Sequence, residues 1–194
     1  MTPNLVDAKA VASQPWRNGG GRTRELLAWP DARAWSVRIS LAEIEAHGPF
    51  SDFAGVERWF AVVEGAGVAL HFDDSEVRVG PGDAPLRFDG SRSLHCRLLA
   101  GPTRDLNLML RGANGLMQRV ASGIAWPAAF GFKALYTDVA GVWRGAGIER
   151  ELVAATLLWS DVPGASAWSF DPSPRAGAAI PAWWLGASAP TVVR

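Results

Sequence analysis

The chain has 194 residues, with 19 basic and 19 acidic side chains and a formal net charge of zero. This length suits one sizeable core or two small halves, and the neutral balance removes the electrostatic argument for nucleic acid or an anionic membrane surface as a partner. The 21 glycines and 13 prolines favour many short strands and turns over long helices.

The cellular compartment is predicted from what the chain lacks. The single cysteine, Cys96, cannot form an intrachain disulfide, which suits a reducing compartment. The first residues lack the apolar core of a signal peptide, and the longest apolar run, residues 152–159, is far shorter than the roughly 20 residues of a membrane helix. We therefore expect a cytoplasmic protein.

The ten tryptophans are bulky enough to plug a barrel or wall a pocket.

In chain order, the first distinctive segment reads Pro-Trp-Arg-Asn-Gly-Gly-Gly-Arg-Thr-Arg-Glu at residues 15–25. Glycines add nothing to a core, and they suit places where the backbone takes a positive φ or approaches another group closely. The polar residues around them indicate a segment that binds or orients a small polar molecule. The alternative is a flexible turn that leads into the first strand.

Residues 35–41 alternate strictly between apolar and polar side chains, which predicts a strand. The polar face carries Ser36, Arg38 and Ser40. In a sandwich this face would meet solvent. In a barrel with a wet interior it would meet a ligand, and Arg38 could then bind a carboxylate.

Further strands are predicted at roughly 8–12-residue spacing, which is typical of a sandwich or a barrel. They cover residues 58–63, 68–72, 77–79, 94–99, 106–110, 132–139, 151–160, 167–170 and 182–185. Asp105, Asn107 and Met109 share the face opposite to the leucines of their strand. The polar residues 111–114 mark the seam between a half at 1–113 and a half at 114–194. Residues 7–13 are the one candidate for a short helix.

Metal and nucleophile chemistry find little support in the sequence. The histidines His47, His71 and His95 are widely separated and contain no His-x-His pair, so we predict no metal site and no cofactor. Cys96 lies in an apolar strand and is predicted to be a small buried hydrophobe rather than a thiolate. We predict no catalytic residue.

The candidate binding set consists of polar residues on apolar strands or beside the glycines. Buried polar groups cost about 1–3 kcal/mol each when they are unsatisfied, so several together indicate either mutual pairing or a ligand. Arginines, asparagines and hydroxyls suit a small anionic, amide-bearing molecule better than a sugar or a lipid. The set is Asn18, Gly19, Gly20, Thr23, Glu25, Arg38, Ser40, Phe50, Ser51, Arg58, Asp105 and Asn107. Its central expectation is that Asn18, Arg38, Arg58 and Asn107 converge inside one β enclosure.

Residues 15–25 resemble the Pro-Trp-x-Asn-Gly-Gly-Gly-x-Thr-x-Glu signature of the HutD/Ves family, and residues 35–40, 48–58 and 101–109 resemble its next blocks in order. The resemblance implies an all-β, cupin-like fold (a double-stranded β-helix or jelly roll) with two related halves in one chain, a bicupin without the usual cupin metal ligands. It also implies a regulator of bacterial histidine utilisation that binds an intermediate such as N-formylglutamate or urocanate. Ala54 stands where the family has proline, which should loosen a turn.

The sequence favours a non-catalytic protein that binds a small anionic ligand, without nucleic-acid or membrane partners and with a homodimer allowed. In this hypothesis Arg38 and Arg58 hold carboxylates, Asn18 and Asn107 bind an amide or formyl group, and the glycines supply N–H donors. One alternative is an enzyme, metal-independent or recruiting a metal, that acts on a similar acid with Glu25 or Asp105 as general base. Another is a structural or interaction role, which predicts a solvent-facing Arg38.

Overall fold

The computed structural model describes residues 2–127, 130–163, 166–173 and 180–188. These residues contain eighteen β-strands and no helix, which confirms the all-β prediction. No described segment is therefore a helix that could cross a membrane. The chain divides into two units, which are Val11–Gly112 (the N-terminal unit) and Met1–Ala10 with Ala113–Arg194 (the C-terminal unit).

The N-terminal unit is built from a six-stranded and a four-stranded antiparallel sheet. The larger sheet has the order β2-β3-β4-β11-β6-β9, and the smaller sheet has the order β5-β10-β7-β8. The strands are β2 (Gln14–Pro15), β3 (Gly21–Trp29), β4 (Val37–Ile44), β5 (Gly48–Pro49), β6 (Val56–Glu64), β7 (Val68–Phe72), β8 (Glu76–Val79), β9 (Leu86–Asp89), β10 (Leu94–Leu98) and β11 (Thr103–Arg111).

The C-terminal unit repeats this plan with a five-stranded and a three-stranded sheet, in the orders β1-β16-β13-β18-β12 and β15-β14-β17. The strands are β1 (Asn4–Asp7), β12 (Gly115–Arg119), β13 (Phe132–Thr137), β14 (Gly141–Gly145), β15 (Ile148–Leu152), β16 (Thr156–Ser160), β17 (Trp168–Pro172) and β18 (Ala182–Ala187). The sequence grouped residues 1–113 together, whereas β1 pairs with β16 inside the C-terminal unit. This pairing gives β16 a second neighbour and shields its edge.

Each unit has a core between its two sheets, and we call the core-facing side of a sheet its inner face. In the N-terminal unit the core includes Ile44, Phe60 and Val62 from the larger sheet, together with Leu70 and Cys96 from the smaller one. The alternation of side chains along a strand then fixes the rest of the inner face, because residues two apart point the same way.

Most predicted strands occur in the structure, with ends shifted by a few residues. Residues 68–72 match β7, and residues 106–110 form the centre of β11. The single strand predicted at 151–160 is wrong, because Ala155 has a positive φ of 63° between β15 and β16. The helix predicted at 7–13 is also wrong, since Asp7 ends β1, where it is the register partner of Thr156.

Candidate functional site

Three cross-strand rows carry the candidate site on the inner face of the larger N-terminal sheet. Antiparallel register partners point to the same side of a sheet, so the register shows which side chains share a face. The rows are Arg38–Met109–Arg58, Ser40–Asn107–Phe60 and Ala42–Asp105–Val62, on β4, β11 and β6 respectively. Phe60 and Val62 belong to the core, so all three rows lie on the inner face.

Strand β3 extends these rows, since Thr23 is opposite Ala42 and Glu25 is opposite Ser40. The Thr23 hydroxyl accepts a hydrogen bond of 2.7 Å from the indole Nε1 of Trp16. Seven predicted site residues therefore share one sheet face, because they are register partners or lie two residues apart along their strands. They are Thr23, Glu25, Arg38, Ser40, Arg58, Asp105 and Asn107.

Arg58 is the central cation of this face, and only 6% of its surface is exposed. Its Nη1 donates to the carbonyl oxygen of Ser51 at 3.3 Å, and its Nη2 donates to Oδ1 of Asn107 at 3.5 Å. Its Nε is buried and has no hydrogen-bond partner among the described residues. A buried guanidinium with an unused donor is ready to accept an anion.

Three phenylalanine rings surround the Arg58 guanidinium. Its Cζ lies 5.3 Å from the ring centre of Phe50, 5.5 Å from that of Phe53 and 5.0 Å from that of Phe88. The π faces attract the cation and restrict its side-chain rotation. Burial and the like charge of Arg38 nonetheless lower the pKa of Arg58 to about 10, although Asp52 opposes them. The side chain remains a cation at neutral pH.

Arg38 is engaged with a carboxylate of the protein itself. Its Nε lies 2.6 Å from Oε2 of Glu25, and its side chain is 22% exposed, so it is partly shielded rather than solvent-facing. Its Nη1 lies 3.7 Å from the Met109 sulfur. An anion could bind beside Arg38 only by sharing it with Glu25.

Asp105 is fully buried on the same face. Its Oδ2 accepts a 2.9 Å hydrogen bond from the Thr103 hydroxyl, and its Oδ1 has no partner among the described residues. Burial raises the pKa of this carboxyl to about 8, and the Thr103 hydrogen bond opposes the shift. The carboxyl group is therefore largely un-ionised at neutral pH.

Residues 16–20, just before β3, form a tight turn. The N–H of Gly19 donates to the Trp16 carbonyl, and the N–H of Gly20 donates to Oδ1 of Asn18. Asn18 is exposed, and its side chain closes this turn rather than joining Arg58 and Asn107. The Asn18 side chain and the N–H groups of Gly19 and Gly20 are thus used within the turn, and Asn18 does not join Arg58 and Asn107 as predicted. Packing explains the glycine at position 21, because a Cβ there would collide with the Glu43 carbonyl oxygen.

Comparison with known proteins decides the family. A family model described as HutD matches residues 8–123. Protein Ves from Escherichia fergusonii is 30% identical over 178 residues, which cover 80% of this chain and 92% of that protein. The chain belongs to the HutD family. The predicted HutD/Ves membership is therefore confirmed.

Two further matches support the HutD assignment. The solved structure of HutD from Pseudomonas fluorescens SBW25 (formate condition) has a TM-score of 0.81 at 25% identity, over 96% of this chain and 98% of that one. With the sheet topology, this confirms the cupin-like fold. An uncharacterised 21.2 kDa protein of the hutC 3′ region in Pseudomonas putida is 39% identical over 110 residues, 54% of this chain and 56% of that protein. The match spans about half of that relative, and HutD membership links the chain to histidine-utilisation genes.

Sequence reasoning missed four contacts of this HutD-family site: Phe53 and Phe88 against Arg58, Thr103 against Asp105, and Met109 against Arg38. The sequence already placed Met109 on the face of Asp105 and Asn107, and Thr103 could have been found because it continues the same alternation along β11. Phe88 could not, since its strand carries no strong local pattern and its ring reaches Arg58 only through the pairing of β6 with β9.

The histidines and the cysteine have the following surroundings. His71 and His95 are register partners on β7 and β10, and Nδ1 of His71 lies 3.3 Å from Glu76. Among the described residues, no three His, Cys, Asp or Glu side chains are arranged to hold a metal ion. Cys96 is buried as predicted, and burial and the neighbouring Asp105 raise the pKa of its thiol to about 12. It is therefore a poor nucleophile.

The C-terminal unit has a separate apolar depression of about 320 Å³. Its aromatic walls are Trp126, Phe130 and Trp184, and Gln118 is a polar residue on its lining. The rings of Trp126 and Trp184 stack with centres 5.2 Å apart. None of the predicted ligand-binding residues lines this depression.

Proposed function

We propose that this HutD-family chain is a non-catalytic small-molecule-binding protein that regulates histidine utilisation. Its ligand is a small acid such as N-formylglutamate or urocanate, which binds on the inner face of the larger N-terminal sheet. The observation that carries this proposal is Arg58, a buried cation whose Nε has no partner among the described residues. Leaving a buried donor unpaired is costly in the free protein, and a bound carboxylate would remove the cost.

The surroundings of Arg58 support recognition of a carboxylate with a polar substituent. Asn107 contacts the guanidinium and has an amide that can bind a formyl or amide group. Ser40 is the register partner of Asn107 and offers a hydroxyl on the same face. The rings of Phe50 and Phe88 lie against the guanidinium, and apolar surroundings strengthen the attraction between a guanidinium and an anion.

Isothermal titration calorimetry with N-formylglutamate and urocanate tests the proposal. The wild-type chain should bind at least one of the two. Arg58→Met removes the cation while keeping the apolar length of the side chain, and we expect a loss of about 30- to 1,000-fold in affinity because a desolvated charge pair is broken.

Arg87→Met is the matched control. Arg87 is exposed on the adjacent strand β9, beside Trp59, and its guanidinium is paired with Glu57. This variant should bind the acid like the wild type. Absence of binding by the wild type, or equal losses in both variants, would refute the proposed function.

A second candidate function is favoured by one observation, the pKa of Asp105 near 8. A group that titrates near neutral pH is suited to general acid–base catalysis. In this alternative the chain is an enzyme that acts on a similar acid, with Asp105 moving a proton. Consumption of N-formylglutamate or urocanate, lost in Asp105→Asn, would replace the binding proposal with this one.

A further inference from the structure

Asp105 and Arg58 share an unusual feature. Each is a buried side chain on the inner face of the larger N-terminal sheet, and each has one polar atom without a hydrogen-bond partner among the described residues, Oδ1 and Nε respectively. Native proteins leave few such atoms, and each one calls for an explanation. Two such atoms on one sheet face indicate that a single ligand supplies hydrogen-bond partners for both.

Their separation follows from the register. Arg58 is opposite Met109, and its guanidinium reaches back to contact Asn107. Asn107 and Asp105 are two residues apart on β11 and point to the same side, which places their Cα atoms about 7 Å apart. A short molecule can therefore contact the guanidinium at one end and approach the Asp105 carboxyl at the other.

The environment of Asp105 determines whether its carboxyl group is ionised or un-ionised when a ligand binds. On the adjacent strands β4 and β6 its register partners are Ala42 and Val62, which are apolar, and on its own strand Thr103 donates to Oδ2. From the smaller sheet, the Cys96 thiol is close enough to Asp105 for the negative charge of a carboxylate there to raise the pKa of the thiol. No cation is paired with Asp105 in the described part of the chain. The carboxyl therefore favours its un-ionised form and can donate its O–H.

We propose that the ligand of this site is a short, two-ended acid, with one carboxylate on Arg58 and a second oxygen that accepts the O–H of un-ionised Asp105. This inference rests on the proposed function, because it places the ligand on the same face. It defines the ligand class as short dicarboxylic acids and acids with an acyl oxygen. A simple monocarboxylate of equal length would leave Asp105 unpaired.

Glutarate and valerate are suitable probes, since they have equal chain length and differ in the second carboxyl group. By calorimetry near pH 6.5, the wild-type chain should bind glutarate about tenfold more tightly than valerate, because one additional hydrogen bond to a charged acceptor forms. Asp105→Asn should keep the preference, since its amide can donate. Asp105→Leu, which is similar in size but has no donor, should bind both probes alike.

Titration with pH separates the role of Asp105 from the charge of glutarate. Because the pKa of Asp105 is about 8, its O–H is lost as the pH rises towards 9, while Arg58 remains charged. The wild-type preference for glutarate should then disappear, and that of Asp105→Asn should persist. If Asp105→Leu fails to fold, the different pH dependence of the wild type and Asp105→Asn still tests whether Asp105 is the donor.

The outcomes distinguish this inference from the proposed function. If the wild type binds both probes equally and Arg58→Met abolishes both, the two-ended ligand is refuted and an Arg58 anion site stands. If the preference for glutarate survives in a folded Asp105→Leu variant, or does not change with pH, Asp105 is not the donor and the inference is refuted. If neither probe binds to the wild type although N-formylglutamate or urocanate does, the inference is refuted and the proposed function stands. If none of the four acids binds, both are refuted.

Discussion

The two units place different side chains on equivalent inner faces. In the N-terminal unit the larger sheet presents Arg38, Ser40, Arg58, Asp105 and Asn107 inward. In the C-terminal unit the core between the sheets is closed by tryptophans and leucines, among them Trp143, Trp168, Trp184, Leu135 and Leu158. The same strand plan therefore carries a cluster of polar side chains beside the core in one unit and mainly tryptophans and leucines in the other.

The buried cations make this difference concrete. Lys133 in the C-terminal unit donates to the Ser166 carbonyl at 3.1 Å and lies 5.2 Å from the Trp168 ring centre, so its charge has partners within the unit. Arg58 in the N-terminal unit keeps an unpaired Nε. A satisfied buried charge contributes to structure, whereas an unsatisfied one is costly unless a ligand completes it. We infer that the N-terminal unit carries the function and that the C-terminal core serves stability.

Trp184→Ala tests the structural role of the C-terminal core, and of these variants it should have the largest effect on stability. The indole is buried and stacked on Trp126, so its removal should lower the free energy of unfolding by about 3–5 kcal/mol. Urea unfolding measures the change. Trp159→Ala is the control, because Trp159 lies half-buried on β16 of the same sheet. A loss no larger than that of the control would contradict a structural role for the C-terminal aromatic core.

Asp105→Asn tests the polar face through the pH dependence of stability. The folded-state pKa of Asp105 is raised to about 8, so between about pH 4 and 8 the unfolded chain releases a proton that the folded chain keeps. Stability of the wild type should therefore fall with rising pH, by up to about 1.4 kcal/mol per pH unit relative to the variant. Urea unfolding at pH 5, 6 and 7 (roughly the middle of that window) measures the difference. Parallel pH profiles would show that Asp105 is ionised in the folded protein.

Arg58→Met tests whether Arg58 stabilises the fold, which would contradict the contrast between the two units. Replacing a buried charge that lacks full partners by an apolar side chain should leave the free energy of unfolding unchanged or raise it by about 1–2 kcal/mol. The measurement is urea unfolding without ligand. A loss as large as that expected for Trp184→Ala would show that the contacts of Arg58 with Phe50, Phe53 and Phe88 hold the fold together.

Glu25→Gln should have the smallest effect. Its partner Arg38 is 22% exposed and Glu25 is 36% exposed, so solvent screens the ion pair. The expected loss of stability is about 0.2–1 kcal/mol, and it should shrink in high salt. Thermal unfolding at low and high salt checks both points. A larger loss that is insensitive to salt would mean that the pair acts as a buried structural contact.

The sequence predicted much of the polar face because alternation is a local property. Residues 35–41 and 105–110 showed which side chains share a face, and the structure pairs those strands as β4 and β11. Sequence could not show that Asn18 would turn back on Gly20, because the choice between a ligand contact and a turn depends on where the chain goes next. The sequence placed Phe50 in the binding set with Arg58, but it could not show Phe53 and Phe88 beside the guanidinium, because they come from a separate loop and strand.

The sequence by itself determined the all-β class, most of the strands, the family and the polar alternation that supplies the candidate residues. Only the tertiary structure decided which of these residues are buried, and therefore which are chemically unusual. Burial depends on which residues, distant in sequence, pack across the core. Their packing removes water from Asp105, which raises the pKa of its carboxyl. It also buries Nε of Arg58, which has no hydrogen-bond partner in the described chain. No local pattern of residues contains that information.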